Sequence, residues 1–184
     1  MLTINTNMEK VLLLTHPCRC PKCENSCKYG SGALVGEDMK KLAEFLQITE
    51  EELKEKYLEK ITKFNTTLFR PRLIRKDDKP YGKCVFYDEV KGCTVHEVKP
   101  TECKISMGCK DYGPELITWF SLNYFLNKED PESLRQYKLY LESGGKTLPG
   151  AELDAETIKK LDSYEDLKKE KDWDSVLGIK EDKK

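Results

Sequence analysis

Apolar and polar positions alternate with two different periods along this chain, and the change of period marks its elements. Within "GEDMKKLAEFLQ", Met39, Leu42, Ala43, Phe45 and Leu46 recur at helical spacing behind acidic residues suited to a first turn. "TEEELKEKYLEKI" follows, with Thr49 and Glu52 spaced as a capping box and Leu53, Tyr57, Leu58 and Ile61 as its apolar stripe. These two segments predict consecutive helices. From Thr66 to His96 the pattern shortens to β-rich pieces, "TTLFRPRLIR", "KCVFYD" and "CTVHEV". Between the last two lies "DEVKG", where Gly92 supplies the positive φ that closes a small hairpin.

Pro100 then opens a helical turn in "KPTECKISMGC", and Pro114 starts a helix in "GPELITWFSLNYFLN". That helix is apolar on most faces, so it is expected in the core rather than docked on a partner. Asp130 and Pro131 open "PESLRQYKLYLES", which stops at Gly144 and Gly145. "GGKTLPG" reads as a linker, and Asp154 caps a charged segment with a thin stripe of Ile158, Leu161 and Leu167. The block before Gly32, broken by Pro17 and Pro21, reads as loop. The sum is an α-rich α+β fold: a small irregular helical domain over residues 1–145, with a short β-hairpin, then a linker and charged C-terminal helix and tail over 146–184.

Charge changes the picture by exclusion. Thirty-two basic residues stand against 33 acidic ones, with no long run of either sign, so nothing draws the chain to nucleic acid or anionic lipid. No segment has the roughly 20 apolar residues that span a bilayer. The N-terminal apolar run, Val11 to Leu14, is too short for a secretory signal, which needs about 7–15 residues. The expectation is a cytoplasmic protein, where thiols stay reduced.

That expectation governs the chemistry, because "CRCPKCENSCKYG" packs Cys18, Cys20, Cys23 and Cys27 together, and Cys84, Cys93, Cys103 and Cys109 follow. A disulfide framework belongs to small exported domains, so clustered thiols in a reducing compartment point to metal ligation. Eight thiolates suffice for two four-ligand sites, and all eight are candidate ligands. Cys20, Cys23 and Cys27 form the best local trio, since Pro17 and Pro21 limit how tightly the chain curls toward Cys18. Zinc sites favour two tight C-x₂₋₄-C knuckles, of which only Cys20-x₂-Cys23 is present, whereas iron–sulfur clusters accept wider spacings. A redox reading of "CPKC" needs the motif to open a helix in a βαβ setting, which the pattern does not predict. The C-x₃-C-x₂-C order of radical-SAM enzymes is reversed here. His16 and His96 are the only histidines; His96, three residues from Cys93 on the presumed strand, faces away from it. There is no nucleophile elbow, P-loop, dinucleotide fingerprint or paired-carboxylate signature.

The linked spacings resemble those of the YkgJ-type cysteine-cluster proteins, a family described as zinc- or iron-chelating. Cys20, Cys23 and Cys27 match the first three cysteines of its C-x₂-C-x₃-C-C start. The segment 36–58 is similar to its intervening helices, and "CVFYDEVKGCTVHEVKPTEC" matches its second motif through Cys84, Cys93 and Cys103. The chain departs from that pattern at Lys28, where the fourth cysteine belongs, at His96 and Lys99, and in carrying Cys18 and Cys109 besides. Related cysteine patterns occur in flagellin lysine methylases, although no methyl-donor site is visible here.

The favoured expectation is thus an iron–sulfur or iron protein, with one or two clusters of the 4Fe-4S type, serving electron transfer or support of a larger metalloenzyme through a protein partner. The alternatives are a zinc-stabilised interaction module docking a partner through 116–126, and a metal-dependent modification enzyme with an open coordination position.

Overall fold

The computed structural model describes residues 1–15, 18, 20–106, 109 and 112–162. Among them are eight α-helices and three two-stranded sheets, an α-rich α+β fold as the periodicity predicts. The chain folds into two compact units that are not consecutive in sequence. One comprises Asn7–Lys60 and Leu68–Ile117; the other comprises Met1–Thr6, Ile61–Thr67 and the chain from Thr118. Every cysteine belongs to the first of these.

In the cysteine-bearing unit, α1 (Met8–Leu13) is capped by Asn7, whose side chain accepts from the Lys10 amide. The cysteine-rich block is not loop throughout: α2 spans Pro21–Tyr29. Pro21 occupies the first helical position, where its missing N–H is no loss and its fixed φ suits the helix, so it starts the helix instead of breaking it. The expected pair follows as α3 (Asp38–Leu46) and α4 (Glu50–Tyr57). Thr49 accepts from the Glu52 amide, but the Glu52 carboxylate is turned to Lys56 at 2.6 Å, so half of the capping box forms. Helix α4 also ends sooner than its apolar stripe suggests. Leu58 adopts extended backbone and begins β1 (Leu58–Lys63), which pairs with β2 (Thr66–Pro71).

Two small antiparallel pairs complete the β content of this unit: β3 (Leu73–Ile74) with β4 (Lys83–Cys84), and β5 (Tyr87–Asp88) with β6 (Gly92–Cys93). Gly92 closes the second at φ +73°, as expected, while Asp88 accepts from the amides of Val90 and Lys91 across the turn. The strand predicted through His96 stops at Cys93, and a 3-10 turn occupies His96–Val98. The period-2 argument that pointed His96 away from Cys93 therefore does not apply. After the turn comes α5 (Thr101–Ile105). Its start is tied to the start of α3 by Asp38, which is 4% exposed and accepts from Val35, from the Thr101 amide and from the Thr101 hydroxyl. Leu34, Leu42, Leu53, Leu58, Phe86 and Val95 form the core, with Cys84 inside it and Cys27 and Cys93 packed against it.

The other unit is built on aromatic side chains. Helix α6 (Gly113–Tyr124) enters it at Thr118 and supplies Trp119, Phe120 and Leu122, all buried, as the core reading expected. The hairpin tip between β1 and β2 places Phe64 and Asn65 at positive φ, the two-residue turn whose twist suits a hairpin. A non-glycine residue holds that conformation because its surroundings fix it. Phe64 is fully buried, edge-on to Tyr137 and Tyr140, and the Asn65 amide donates to Gln136. Tyr137 and Tyr140 lie on α7 (Pro131–Glu142), capped by Asp130 and ended before Gly144 as expected. Asp154 accepts from the Thr157 amide at the start of α8 (Ala155–Asp162), and Leu161 is buried. Leu167 and the tail lie outside the described residues.

Candidate metal centre

The eight cysteines are free thiols, gathered in two groups. Cys18, Cys20, Cys23 and Cys109 bring their four sulfurs within 4.8 Å of one another. The Cys23 and Cys109 sulfurs are 3.4 Å apart, and those of Cys109 and Cys18 are 3.8 Å apart. These contacts are too long for S–S bonds of about 2.05 Å. Cys20 is the N-cap of α2, so the partly positive helix terminus lies beside the group. The Cys20 amide donates to the Cys18 sulfur at 3.4 Å, and the Cys23 amide, which donates to the Cys20 carbonyl at 3.0 Å, also favours the Cys20 thiolate.

These donors shape the ionisation of each thiol. The Cys23 amide, helped by the Cys18 thiol, lowers Cys20 to about 7. At Cys18 the Cys20 amide pulls downward, but the Cys20 thiol, burial and the Cys109 thiol together leave it raised. Burial and the Cys109 thiol push Cys23 up to about 12. A cation supplied from outside would stabilise all of these thiolates together.

Cys27 belongs elsewhere. The local trio of Cys20, Cys23 and Cys27 is not the group that gathers, since Cys27 stands outside the four whose sulfurs lie within 4.8 Å of one another. The Cys27 thiol instead shares a hydrogen bond with Cys93, and Cys84 and Cys103 are close enough to raise it further. Cys84 is pushed to about 11 and Cys103 is also raised, in both cases chiefly by burial. Here too amides donate to sulfur, Gly32 to Cys103 at 3.1 Å and Phe86 to Cys84.

A cavity of about 260 Å³ is lined by Cys18 and Cys23 of the first group together with Cys27, Cys84, Cys93 and Cys103. His96 and Lys99 also line it, and the His96 ring nitrogen Nε2 is 3.3 Å from the Cys18 carbonyl oxygen. His96 is thus a neighbour of the first group and not one of its four thiols. His16 lies outside the described residues. Lys28, at the position of the family's fourth cysteine, sets its ammonium 5.9 Å from the centre of the Tyr87 ring. The helix that a redox "CPKC" requires does exist, yet four thiols meet at its start, where a redox pair needs two.

Sequence reasoning missed the partnership of Cys109 with Cys18, since 91 residues separate them and no spacing rule joins them. It also missed Gly32. A Cβ there would lie 2.6 Å from the Cys103 nitrogen and 2.9 Å from its sulfur, so only glycine lets the amide approach.

The chemistry of the donors fits a thiophilic ion. Soft thiolates select zinc and iron over the hard cations, and amide N–H groups aimed at sulfur favour the charged form that a metal needs. No helix among the described residues is long and apolar enough to cross a membrane. No solved structure matches the chain. A family model described as "Putative zinc- or iron-chelating domain" matches residues 19–133, well over half of the chain and all the cysteines but Cys18. The chain belongs to this cysteine-motif family of zinc- or iron-chelating domains.

Proposed function

We propose that the protein is a thiolate metal-binding protein in which Cys18, Cys20, Cys23 and Cys109 together hold one zinc or iron ion. The size of the group carries this reading. Sulfurs about 2.3 Å from a single tetrahedral ion stand about 3.8 Å apart, whereas those of a cubane cluster bind four different irons and are held farther apart. Contacts of 3.4 and 3.8 Å, all within a 4.8 Å group, suit the single ion. Four cysteines leave no open coordination position, so this site favours structure or one-electron transfer over metal-dependent modification chemistry. With zinc it fastens the segments bearing Cys18 and Cys109 to the start of α2. With iron it also passes single electrons to a redox partner.

The interaction-module alternative loses support, since Leu116, Trp119 and Phe120 are buried. Protein purified without oxygen tests the proposal by metal analysis and visible spectrum. The expected result is one tightly held zinc or iron that Cys18→Ser and Cys109→Ser each weaken by at least about 100-fold, following the large free energies of thiolate metal sites. Unchanged metal content in both variants overturns it.

A further inference from the structure

We propose that Cys23 and Cys109 are a peroxide-sensitive pair, which closes to a disulfide when the metal site is empty and so makes oxidation and metal holding mutually exclusive. It rests on the reading above in one respect, that the same two sulfurs take part in holding the ion. The pair is not the two cysteines of "CPKC". It joins the first turn of α2 to a residue 86 positions away, between α5 and α6.

Three observations carry it. The Cys23 and Cys109 sulfurs are 3.4 Å apart, closer than the 3.8 Å between Cys109 and Cys18. An S–S bond of about 2.05 Å therefore needs about 1.3 Å of approach, a displacement on the scale of a side-chain rotation. Both residues are half-buried, unlike Cys84 in the core, and Cys23 lines the cavity of about 260 Å³, which has room for a small hydroperoxide. The Cys23 thiol also donates to the Cys109 sulfur, so the contact already pairs a proton donor with an electron donor.

The step balances with a hydroperoxide as oxidant. The Cys109 sulfur attacks the terminal peroxide oxygen, the O–O bond breaks, and the leaving oxygen takes the Cys109 proton and departs as an alcohol, or as water from hydrogen peroxide. Cys109 is then a sulfenic acid. The Cys23 sulfur attacks the Cys109 sulfur, the S–O bond breaks, and the departing hydroxide takes the Cys23 proton as water. Two thiols lose two electrons, and one peroxide bond gains them. A disulfide sulfur is no longer a thiolate, so Cys18 and Cys20 alone remain where a closed zinc site takes four ligands. The link still fastens Cys109 to the start of α2, with a covalent bond in place of the ion.

The test uses the full chain, stripped of metal, reduced, freed of reductant and treated with one equivalent of hydrogen peroxide. Remaining thiols are blocked, linked peptides are mapped by mass spectrometry, and zinc bound per chain is counted before and after. The expected result is a loss of two thiols, a Cys23–Cys109 peptide as the main product, and one zinc fewer per linked chain, restored by dithiothreitol. A main link between any other two cysteines overturns the proposal, as does oxidation to sulfinic acid without a link. A linked chain that binds as much zinc as the reduced one overturns it too. Failure of the metal reading looks different: a reduced chain that takes up neither zinc nor iron, yet forms the Cys23–Cys109 link, removes the ion and supports the pair.

Discussion

Gly32 shows how much one missing methyl group can decide. Its amide reaches the Cys103 sulfur only because no side chain stands between them, and the atoms a Cβ would meet include rigid backbone. Gly32→Ala should lower the stability of the metal-free, reduced chain by about 1–3 kcal/mol, the usual cost of overpacking. Denaturant titration reads that change. The buried thiols also set a proton dependence. Cys23, raised to about 12 by burial and the Cys109 thiol, is protonated at neutral pH, and a metal held there must displace that proton. Apparent zinc affinity should therefore rise from pH 6 to pH 8, and a competition titration that finds it flat contradicts the proposed ligand role of Cys23. Glu59 makes the opposite case. Burial pushes its carboxyl up, but the hydrogen bond from Arg75 and the charge of Arg70 hold it below the usual range. Its contribution is present above the unfolded value, roughly pH 4.3, and is lost as pH falls through the lower folded value. Glu59→Gln should cost about 1–2 kcal/mol at pH 7, with the gap to wild type closing below about pH 4.

At the scale of elements, legibility followed how local the signal was. Helices α3, α6 and α7 were readable because spacing, caps and stops sit within a dozen residues of each other. The turn at Gly92 was readable for the same reason. The residues that misled were those whose local signal supports two outcomes. Pro21 reads as a breaker, though in first position it begins α2. Leu58 and Ile61 continue the period of α4, yet they belong to β1. There the buried Phe64 and its aromatic neighbours on α7 supply the deciding contacts. His96 followed a strand pattern that ends at Cys93. The clustering of the cysteines was legible by type and crowding. Their division into two groups was not, because it depends on α2 being a helix and on Cys109 returning from far along the chain.

For the whole molecule, the decisive fact is that the cysteines all lie in one of its two compact units. The other unit holds itself together by Phe64, Trp119, Phe120 and Tyr137, with the Tyr137 hydroxyl bonded to Thr147 and to the Ala151 carbonyl. Stripping metal from the reduced protein should therefore raise amide exchange in α2, α5 and the 3-10 turn at His96–Val98. Amides of α7 should keep their protection; equal loss in both units would show that the aromatic core depends on the metal too.

Helix α2 gives the two thiol groups a common backbone, Cys20 and Cys23 for one and Cys27 for the other. It has no fully buried residue of its own to anchor it. A metal held at Cys20 and Cys23 would bear the entropic penalty of setting this helix, and would thereby also fix where Cys27 stands.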